Sequence, residues 1–231
     1  METFTEIDKD FVCDIQAPCF QLLSASEVEL IRASKTQVLF RKGENLTKQG
    51  TFATYVMFIM RGFVKQYVEG DGTHNYNLRI VKDGDFLGLS SVFAQDTFAY
   101  STIALADTRV FLIGKEAIAK VLKQNGSFAY SIIKRYSESN AGLYNAIRNL
   151  MYKQMNGRIA DALLYLSSEE FADLDIFNHL SRKDIGDFAG LSAESTVKIL
   201  KSFEKDGYIT LNEKNIILLN KKALIEISRT G

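Results

Sequence analysis

The residues from Leu180 to Ile209 constrain this chain most, because they read as two short helices joined by a tight turn. Ser181 and Asp184, three residues apart, form a capping-box pattern that marks the start of a helix. Gly190 is predicted to end this helix, since glycine accepts the left-handed backbone of a helix C-cap. Ser192 then caps a second helix.

The second predicted helix runs from Ala193 to about Asp206 and has one apolar face. The residues of this face follow the spacing i, i+3, i+4, i+7 and are Thr196, Ile199, Leu200 and Phe203. The other face carries Glu194, Val197, Lys198, Lys201 and Lys205. A helix-turn-helix would offer Glu194 and Lys198 to the DNA major groove. The same spacing also fits two surface helices with a solvated charged face, so both interpretations stay open.

Composition limits the class of protein. A length of 231 residues suits one large or two ordinary domains, and 46% hydrophobic with 24% charged residues is normal for a soluble protein. No apolar run approaches the roughly 20 residues of a membrane span. The acidic N-terminus lacks the apolar core of a signal peptide, and the chain has two cysteines. We therefore expect a cytoplasmic protein without structural disulfides.

Net charge gives no hint of a nucleic-acid partner, because it is +0 at pH 7. The segment after Met151 carries nearly equal numbers of acidic and basic residues, which counts mildly against DNA binding. Basic residues nevertheless cluster in and around the two helices: Arg182, Lys183, Lys198, Lys201 and Lys205.

The region from about Thr36 to Ile113 has the pattern of an all-β fold. Short runs rich in Val, Ile, Phe, Tyr and Thr alternate with glycine-containing turns, of which Glu69–Gly72 is the strongest hairpin signal. This pattern predicts a barrel or double-sheet roll. Residues 1–18 are predicted to form an irregular arm, and a short helix is predicted to follow Ser24.

A long helix is predicted from Phe128 to about Met155, spanning about 40 Å. One stripe of this helix alternates in steps of three and four: Ile133, Tyr136, Asn140, Leu143, Ile147 and Leu150. A heptad stripe containing a polar Asn is typical of a two-stranded coiled coil. The alternative is a helix packed on its own roll. We expect one side to meet the roll and the stripe to meet a second subunit.

After the long helix, Asn156–Arg158 is predicted to break the chain before another amphipathic helix. The two helices described first come next, followed by two strands around the polar turn Asn212–Asn215, a wing. The predicted domains are an arm (1–18), a β-roll sensor (19–126), a dimerisation helix (127–156) and a winged helix-turn-helix (157–231).

This order resembles the cyclic-AMP-receptor/fumarate-nitrate-regulator (Crp/Fnr) family of bacterial transcription factors. The strings that carry the resemblance are FRKGENLTKQG, GDFLGLSSVF, NGRIADALLYL and the helix-turn-helix itself. The resemblance implies an α+β fold, with an N-terminal double-stranded β-helix like a cyclic nucleotide-binding domain. It also implies a homodimer that binds double-stranded DNA at a pseudo-palindromic site, with RNA polymerase as a further partner of an activator.

The resemblance assigns base reading to Glu194, Val197 and Lys198. Glu194 matches the family's glutamate and suits cytosine N4, whereas Lys198 replaces an arginine and loses its bidentate fork. Ala193 replaces an arginine of the cyclic-AMP receptor, so the half-site should be closer to that of the fumarate-nitrate branch. Residues placed for phosphate contacts are Ser181, Arg182, Ser192, Ser195 and Lys201.

The family's nucleotide pocket maps onto Gly88, Leu89, Ser90, Tyr100, Ser101 and Tyr144. Gly88 is kept, but Leu89 replaces the ribose-binding glutamate and Tyr100 replaces the phosphate-binding arginine. A buried cyclic phosphate needs its charge neutralised or bonded. We therefore expect cyclic AMP not to bind, and a pocket lined by Leu89, Tyr100 and Tyr144 to suit a neutral or aromatic effector, or none.

Cofactors are not expected. Cys13 and Cys19 match two of the N-terminal cysteines of the fumarate-nitrate branch, but a cluster needs four thiolates and the chain has no other cysteine. A thiol switch between these two cysteines is an open alternative to two inert thiols. His74 and His179 are expected to be ordinary histidines. Two other functions remain as alternatives: a metal-dependent cupin-like enzyme and a regulatory module that binds protein. The effector's identity and the choice between activator and repressor stay open.

Overall fold

The structure is a computed structural model that describes residues 2–4, 18–70, 74–93 and 96–231. The chain divides into two compact units. The first comprises Met1–Gln66 and Ile80–Ala141, and the second comprises Tyr67–Arg79 and Gly142–Gly231.

The strands of the roll form two antiparallel sheets. One sheet has the order β1-β2-β9-β4-β7 and consists of β1 (Glu2–Phe4), β2 (Lys35–Phe40), β9 (Thr108–Gly114), β4 (Tyr55–Arg61) and β7 (Phe86–Leu87). The other has the order β3-β8-β5-β6 and consists of β3 (Asn45–Thr47), β8 (Ser101–Ala104), β5 (Phe63–Glu69) and β6 (Asn75–Lys82). The predicted double-sheet roll and the α+β class are confirmed.

The prediction of an irregular arm is wrong at Glu2–Phe4. These residues form β1, which pairs antiparallel with β2 and matches Thr3 to Val38. Alternation in so short a segment is too weak to indicate a strand, and its hydrogen-bonding partner comes from elsewhere in the chain. Cys13 lies outside the described residues.

Within the described residues, three shorter α-helices belong to the first unit. They are α1 (Ala25–Ala33), α2 (Ser90–Phe93) and α3 (Lys115–Gln124). Ser24 caps α1 in a capping box with Glu27, as its sequence indicates. The burial of α3 follows from the apolar spacing of Ala117, Ile118 and Val121.

The helix α4 (Gly126–Tyr152) starts inside the core of the first unit. Phe128 and Ile132 are completely buried there, and the Phe128 ring lies edge-on to Phe20 with 5.7 Å between centroids. Further along α4 the apolar side chains are exposed: Ile133 by 55%, Tyr144 by 75% and Ile147 by 55%.

The sequence prediction places the end of α4 too late. α4 ends at Tyr152 and α5 begins at Met155, so Asn156–Arg158 lies inside α5 (Met155–Leu166). Gly157 does not break the helix but permits a close contact between two backbones. A Cβ at this position would lie 2.6 Å from the carbonyl oxygen of Gly231, where α9 (Lys221–Thr230) ends.

The second unit is a winged helix bundle. Besides α5 and α9 it contains α6 (Ile176–His179), α7 (Arg182–Ala189), α8 (Ala193–Lys205), β10 (Ile209–Asn212) and β11 (Asn215–Leu218). Its core is aliphatic and aromatic, and fully buried members include Ile159, Leu163, Ile185 and Leu224. Asp161 on α5 accepts hydrogen bonds from Lys153 and from Ser228 on α9, which ties the two helices together.

The local signals of the helix-turn-helix are confirmed. Ser181 and Asp184 form the capping box of α7, Gly190 ends α7 with φ of 62°, and Ser192 caps α8. The wing is tighter than predicted, since Asn212 pairs with Asn215 and the turn consists of Glu213 and Lys214 alone. Within the described residues, no helix has both the length and the apolar character needed to cross a membrane.

Candidate functional site

The second helix of the motif, α8, rests on a buried apolar face. Thr196 and Leu200 are 0% and 1% exposed. Gly186 on α7 allows this close packing, because a Cβ there would lie 2.5 Å from Thr196 Oγ1. The Thr196 hydroxyl donates a 2.9 Å hydrogen bond to the carbonyl oxygen of Ser192. The base of α8 is therefore fixed, and its opposite face is the one available to a ligand.

That outer face presents the predicted base-reading residues together. The Lys198 ammonium donates to the Glu194 carboxylate at 2.7 Å, and the two side chains are 74% and 79% exposed. An exposed i, i+4 ion pair stabilises a helix by only about 0.3–0.5 kcal/mol. The ion pair can therefore be replaced by contacts to DNA bases, with the Glu194 carboxylate as an acceptor and the Lys198 ammonium as a donor. Val197 lies half-buried beside them.

The predicted phosphate contacts lie at the starts of α7 and α8 and along α8. Ser192 Oγ accepts from the Ser195 amide at 3.2 Å and donates to Ser195 Oγ at 3.1 Å. Ser181 Oγ donates to the Asp184 carboxylate at 2.6 Å. Ser181, Ser192 and Lys201 are exposed. The two serines at the caps thus combine exposed hydroxyls with the helix N-termini that favour anions.

Arg182 has a second role that the sequence did not indicate. Its guanidinium donates to the carbonyl oxygens of Lys214 and Glu213 at 3.1 and 2.8 Å, and so holds the turn of the wing. Burial lowers the pKa of Arg182, while Glu204 acts in the opposite direction. Its partners are 31 and 32 residues away, so no local pattern could have identified them.

The hairpin residues that belong to the second unit also reach the motif. Asn77 is 1% exposed, and its side-chain amide donates to the carbonyl oxygen of Asp184 at 2.8 Å. Tyr76 lies near the turn, where its ring would be 3.7 Å from a Cβ on Gly190. The sequence contains no signal for the Asn77–Asp184 hydrogen bond, because the two residues are 107 positions apart.

At the predicted effector pocket, the side chain of Tyr100 bonds to the backbone of the glycine turn. The backbone N–H of Gly88 donates to the hydroxyl oxygen of Tyr100 at 2.8 Å. Gly88 has φ of 78°, and a Cβ there would lie 3.0 Å from a ring atom of Phe98. The phenol of Tyr100 therefore satisfies the amide that this glycine turn would otherwise present to a ligand.

The structure places the other predicted residues of this site in different surroundings. Leu89 packs in the core of the first unit and is 8% exposed. Ser101 is 1% exposed, and its hydroxyl accepts from the Gln49 amide at 2.9 Å. Ser90 starts α2 and is half-buried, and Tyr144 belongs to the second unit, where it is 75% exposed.

Whether the described cysteine and histidine residues could form a reactive or metal-binding site depends on their burial and grouping. Cys19 is 1% exposed, and burial raises the pKa of its thiol, with Arg135 opposing the shift. A thiol of this kind is a poor nucleophile and a poor metal ligand at neutral pH. In the ranges that the structure describes, no group of three or more His, Cys, Asp or Glu side chains could hold a metal ion.

A double-sheet roll followed by a helix-turn-helix defines a class of regulator with a sensor domain and a DNA-binding domain. Sequence comparison identifies both parts. Residues 37–125 match the cyclic nucleotide-binding domain, and residues 157–227 match the Crp-like helix-turn-helix domain. The chain belongs to the Crp/Fnr family of transcription regulators and is a DNA-binding protein.

Characterised relatives are similar over most of their length. The anaerobic regulatory protein of Bacillus subtilis is 27% identical over 207 residues, which cover 87% of each chain. A CRP-like cAMP-activated global transcriptional regulator of Mycobacterium tuberculosis is 22% identical and covers 93% of this chain and 97% of its own length. The crystal structure of a Crp/Fnr regulator from Eubacterium rectale has a TM-score of 0.77 at 21% identity and covers 92% of this chain and 98% of that one.

Proposed function

We propose that this protein is a homodimeric transcription regulator that reads a pseudo-palindromic operator with α8 and does not respond to cyclic AMP. The observation that carries the proposal is the exposed Glu194–Lys198 pair on a helix whose other face is buried. Glu194 would accept from cytosine N4, and Lys198 would donate to guanine O6 or N7. Val197 would contact the same bases through its methyl groups.

Phosphate contacts would position this helix without specifying sequence. We assign them to Ser181, Arg182, Ser192, Ser195 and Lys201. The capping serines would use their hydroxyls and the adjacent helix N-termini, and Lys201 its exposed ammonium. Arg182 would contact phosphate through the part of its guanidinium that the wing carbonyls leave available.

The exposed stripe of α4 supports the dimer. Its members are Ile133, Tyr136, Asn140, Leu143, Ile147 and Leu150, and all but Asn140 are large apolar residues that are at least 37% exposed. Neighbouring Tyr130 and Met151 are 73% and 67% exposed. An apolar face of this length is a typical interaction site, and Asn140 would set the register of a two-stranded pair. Two such subunits would read half-sites roughly 34–36 Å apart.

The proposal of cyclic-AMP independence rests on Tyr100 and Leu89. Tyr100 already accepts the Gly88 N–H, and Leu89 packs in the core where a ribose-binding carboxylate would be needed. A cyclic phosphate would therefore meet neither the arginine that Tyr100 replaces nor a free Gly88 amide. The relative from Mycobacterium tuberculosis, by its name, is cAMP-activated, so the two proteins would differ in effector. A cytoplasmic location, and RNA polymerase as a partner if the protein activates, complete the proposal.

Operator selection tests the DNA-reading assignment. Purified full-length protein is used to select sites from random duplexes, and gel shifts then compare wild type with Glu194→Ala and Lys198→Ala. We expect a two-fold symmetric site and a loss of base preference at one position per half-site in each variant. Lys205→Ala, which changes an exposed lysine near the end of α8, is the matched control. Unchanged affinity and preference in both test variants would show that α8 is misassigned.

Two further measurements test the other parts. Sedimentation equilibrium should give twice the chain mass, and Ile147→Glu should shift the protein to monomer because it places a charge in the stripe. Calorimetric titration with cyclic AMP should give no heat. Micromolar binding of cyclic AMP would overturn the effector assignment while leaving the DNA-reading assignment untouched.

A further inference from the structure

A separate cleft opens on the roll beside the predicted effector site. It has a volume of about 310 Å³ and lies entirely within the first unit. We call it the roll cleft, and the lining residues used in the argument are Leu46, Lys48, Phe52, Tyr55, Met57 and Phe98. Neither Gly88, Leu89 nor Tyr100 lines it.

The walls of the roll cleft are aromatic, and part of this surface is in solvent. Phe52 is 80% exposed and Tyr55 is 43% exposed, whereas Met57 and Phe98 are 6% and 7% exposed and form a buried base. Removing the surface of a phenylalanine ring from water is favourable in free energy, so a ligand that buries this ring gains affinity. A pair of packed aromatic rings contributes about 0.5–1.5 kcal/mol in addition to the free energy of the buried area.

The charge of the roll cleft is positive. Among the described residues that line it, Lys48 carries a charge and none is acidic. Lys48 is exposed, so its ammonium can turn toward an occupant. Asp96, whose carbonyl oxygen accepts the Ala53 amide, has its carboxylate paired with Lys115 at 2.8 Å and therefore does not neutralise Lys48.

From this combination we propose that the roll cleft binds a small aromatic carboxylate, with its ring between Phe52, Tyr55 and Phe98 and its carboxylate on Lys48. The volume is at the lower end of the range for ligand sites, which suits a one- or two-ring acid. Phe98 gives the occupant a connection to the effector site. Its ring adjoins Gly88 and pairs with the Tyr100 ring at 6.5 Å between centroids.

Titration of naphthoate into the full-length protein tests the proposal. We expect saturable binding by calorimetry and a shift of the Gly88 amide resonance in NMR spectra, since Phe98 joins the roll cleft to that residue. Phe52→Ala should weaken binding about tenfold because it removes a stacking ring, and Lys48→Ala about fivefold because it removes the ion pair. Naphthamide, which lacks the charge, should bind wild type about as weakly as naphthoate binds Lys48→Ala.

Two variants serve as matched controls. Phe93→Ala removes a 56% exposed ring, and Lys42→Ala removes an exposed ammonium, both outside the roll cleft. Naphthoate should bind both controls as it binds wild type. The proposal is overturned by no saturable binding, or by binding that Phe52→Ala and Lys48→Ala leave unchanged. Because Phe52 is so exposed, its substitution should leave the melting temperature of the protein unchanged, and the comparison then reports on the roll cleft alone.

Discussion

The outer face of α8 and the effector site at Gly88 treat their polar groups in opposite ways. On α8, Glu194 and Lys198 stand in solvent over a buried base, and their ion pair is weak enough to be replaced by DNA. At Gly88 the amide is bonded to Tyr100 and the neighbouring Leu89 packs in the core. On the proposed function, the same family fold would keep the DNA-reading surface open and close the effector site. The polar groups on α8 have partners that are exposed to solvent, whereas the Gly88 amide has a hydrogen-bond partner from within the roll.

The largest expected effect comes from disrupting the close packing beneath α8. Gly186→Val would place side-chain atoms against Thr196 Oγ1 and the Leu191 carbonyl oxygen, at 2.5 and 2.8 Å even for the Cβ alone. We expect a loss of about 3 kcal/mol of stability in the second unit and loss of DNA binding. Denaturant unfolding followed by a gel shift measures both.

Gly142→Ala is the matched control for this change. A Cβ at Gly142 meets nothing within 4 Å, and α4 is helical there. Alanine in a helix is favoured over glycine by up to about 1 kcal/mol, so this variant should be at least as stable as wild type. If Gly186→Val were as stable as Gly142→Ala, the base of α8 would not be rigid and the contrast with Gly88 would fail.

The second prediction concerns the closed site. Tyr100→Phe removes the hydroxyl acceptor and leaves the Gly88 N–H without it, which should cost about 1–2 kcal/mol. Denaturant unfolding of the first unit is the measurement. Tyr144→Phe removes an exposed hydroxyl and should change nothing. Equal stability of the two variants would mean that Tyr100 does not close the site.

The third prediction sharpens the open site. Lys198→Arg restores a planar fork that can bind guanine O6 and N7 together. We expect discrimination at that base pair to increase by about 1 kcal/mol, with little change in protein stability because residue 198 is exposed. Competition gel shifts with single-base variants of the selected operator measure this. Unchanged discrimination would place the Lys198 contact elsewhere.

The smallest expected effect is a change in the salt dependence of DNA binding, which distinguishes phosphate contact from support of the wing turn. Lys201→Ala should reduce the slope of log affinity against log salt by about 0.9 for each phosphate that is no longer neutralised, hence by about twice that in a dimer. Arg182→Ala should reduce the slope less, because its guanidinium also holds the carbonyl oxygens of the wing turn. An equal or larger slope change for Arg182 would make phosphate binding its main role.

The sequence predicts those features whose partners are close in the chain. The caps at Ser181 and Ser192, the turn at Gly190 and the buried stripe of α8 all depend on neighbours within a few residues, and all are found as predicted. Tyr100, in place of the family's arginine, also predicts a site without the cation that a cyclic phosphate needs. That its hydroxyl would bond to Gly88 depends on how two strands pack, and no local pattern contains this.

The contacts that the sequence did not indicate share one cause. Gly157 looks like a helix breaker in sequence, yet it makes room for Gly231 at the end of α9. Arg182 is predicted to contact phosphate, and its guanidinium also donates to carbonyl oxygens of the wing turn. Asn77 lies in the predicted β region, and its side-chain amide donates to the Asp184 carbonyl oxygen from 107 positions away. Each of these residues has a tertiary contact that its neighbours in the sequence do not reveal.

On the proposed dimer, the exposed stripe of α4 would make the concentration of the protein an input to regulation. Folding and association of the two subunits would be linked by mass action, so the melting temperature would rise with protein concentration. Occupancy of the operator then varies with the square of the free subunit concentration when subunits are scarce. A modest change in synthesis or proteolysis would move the regulator between silent and saturated states, even with no small molecule bound.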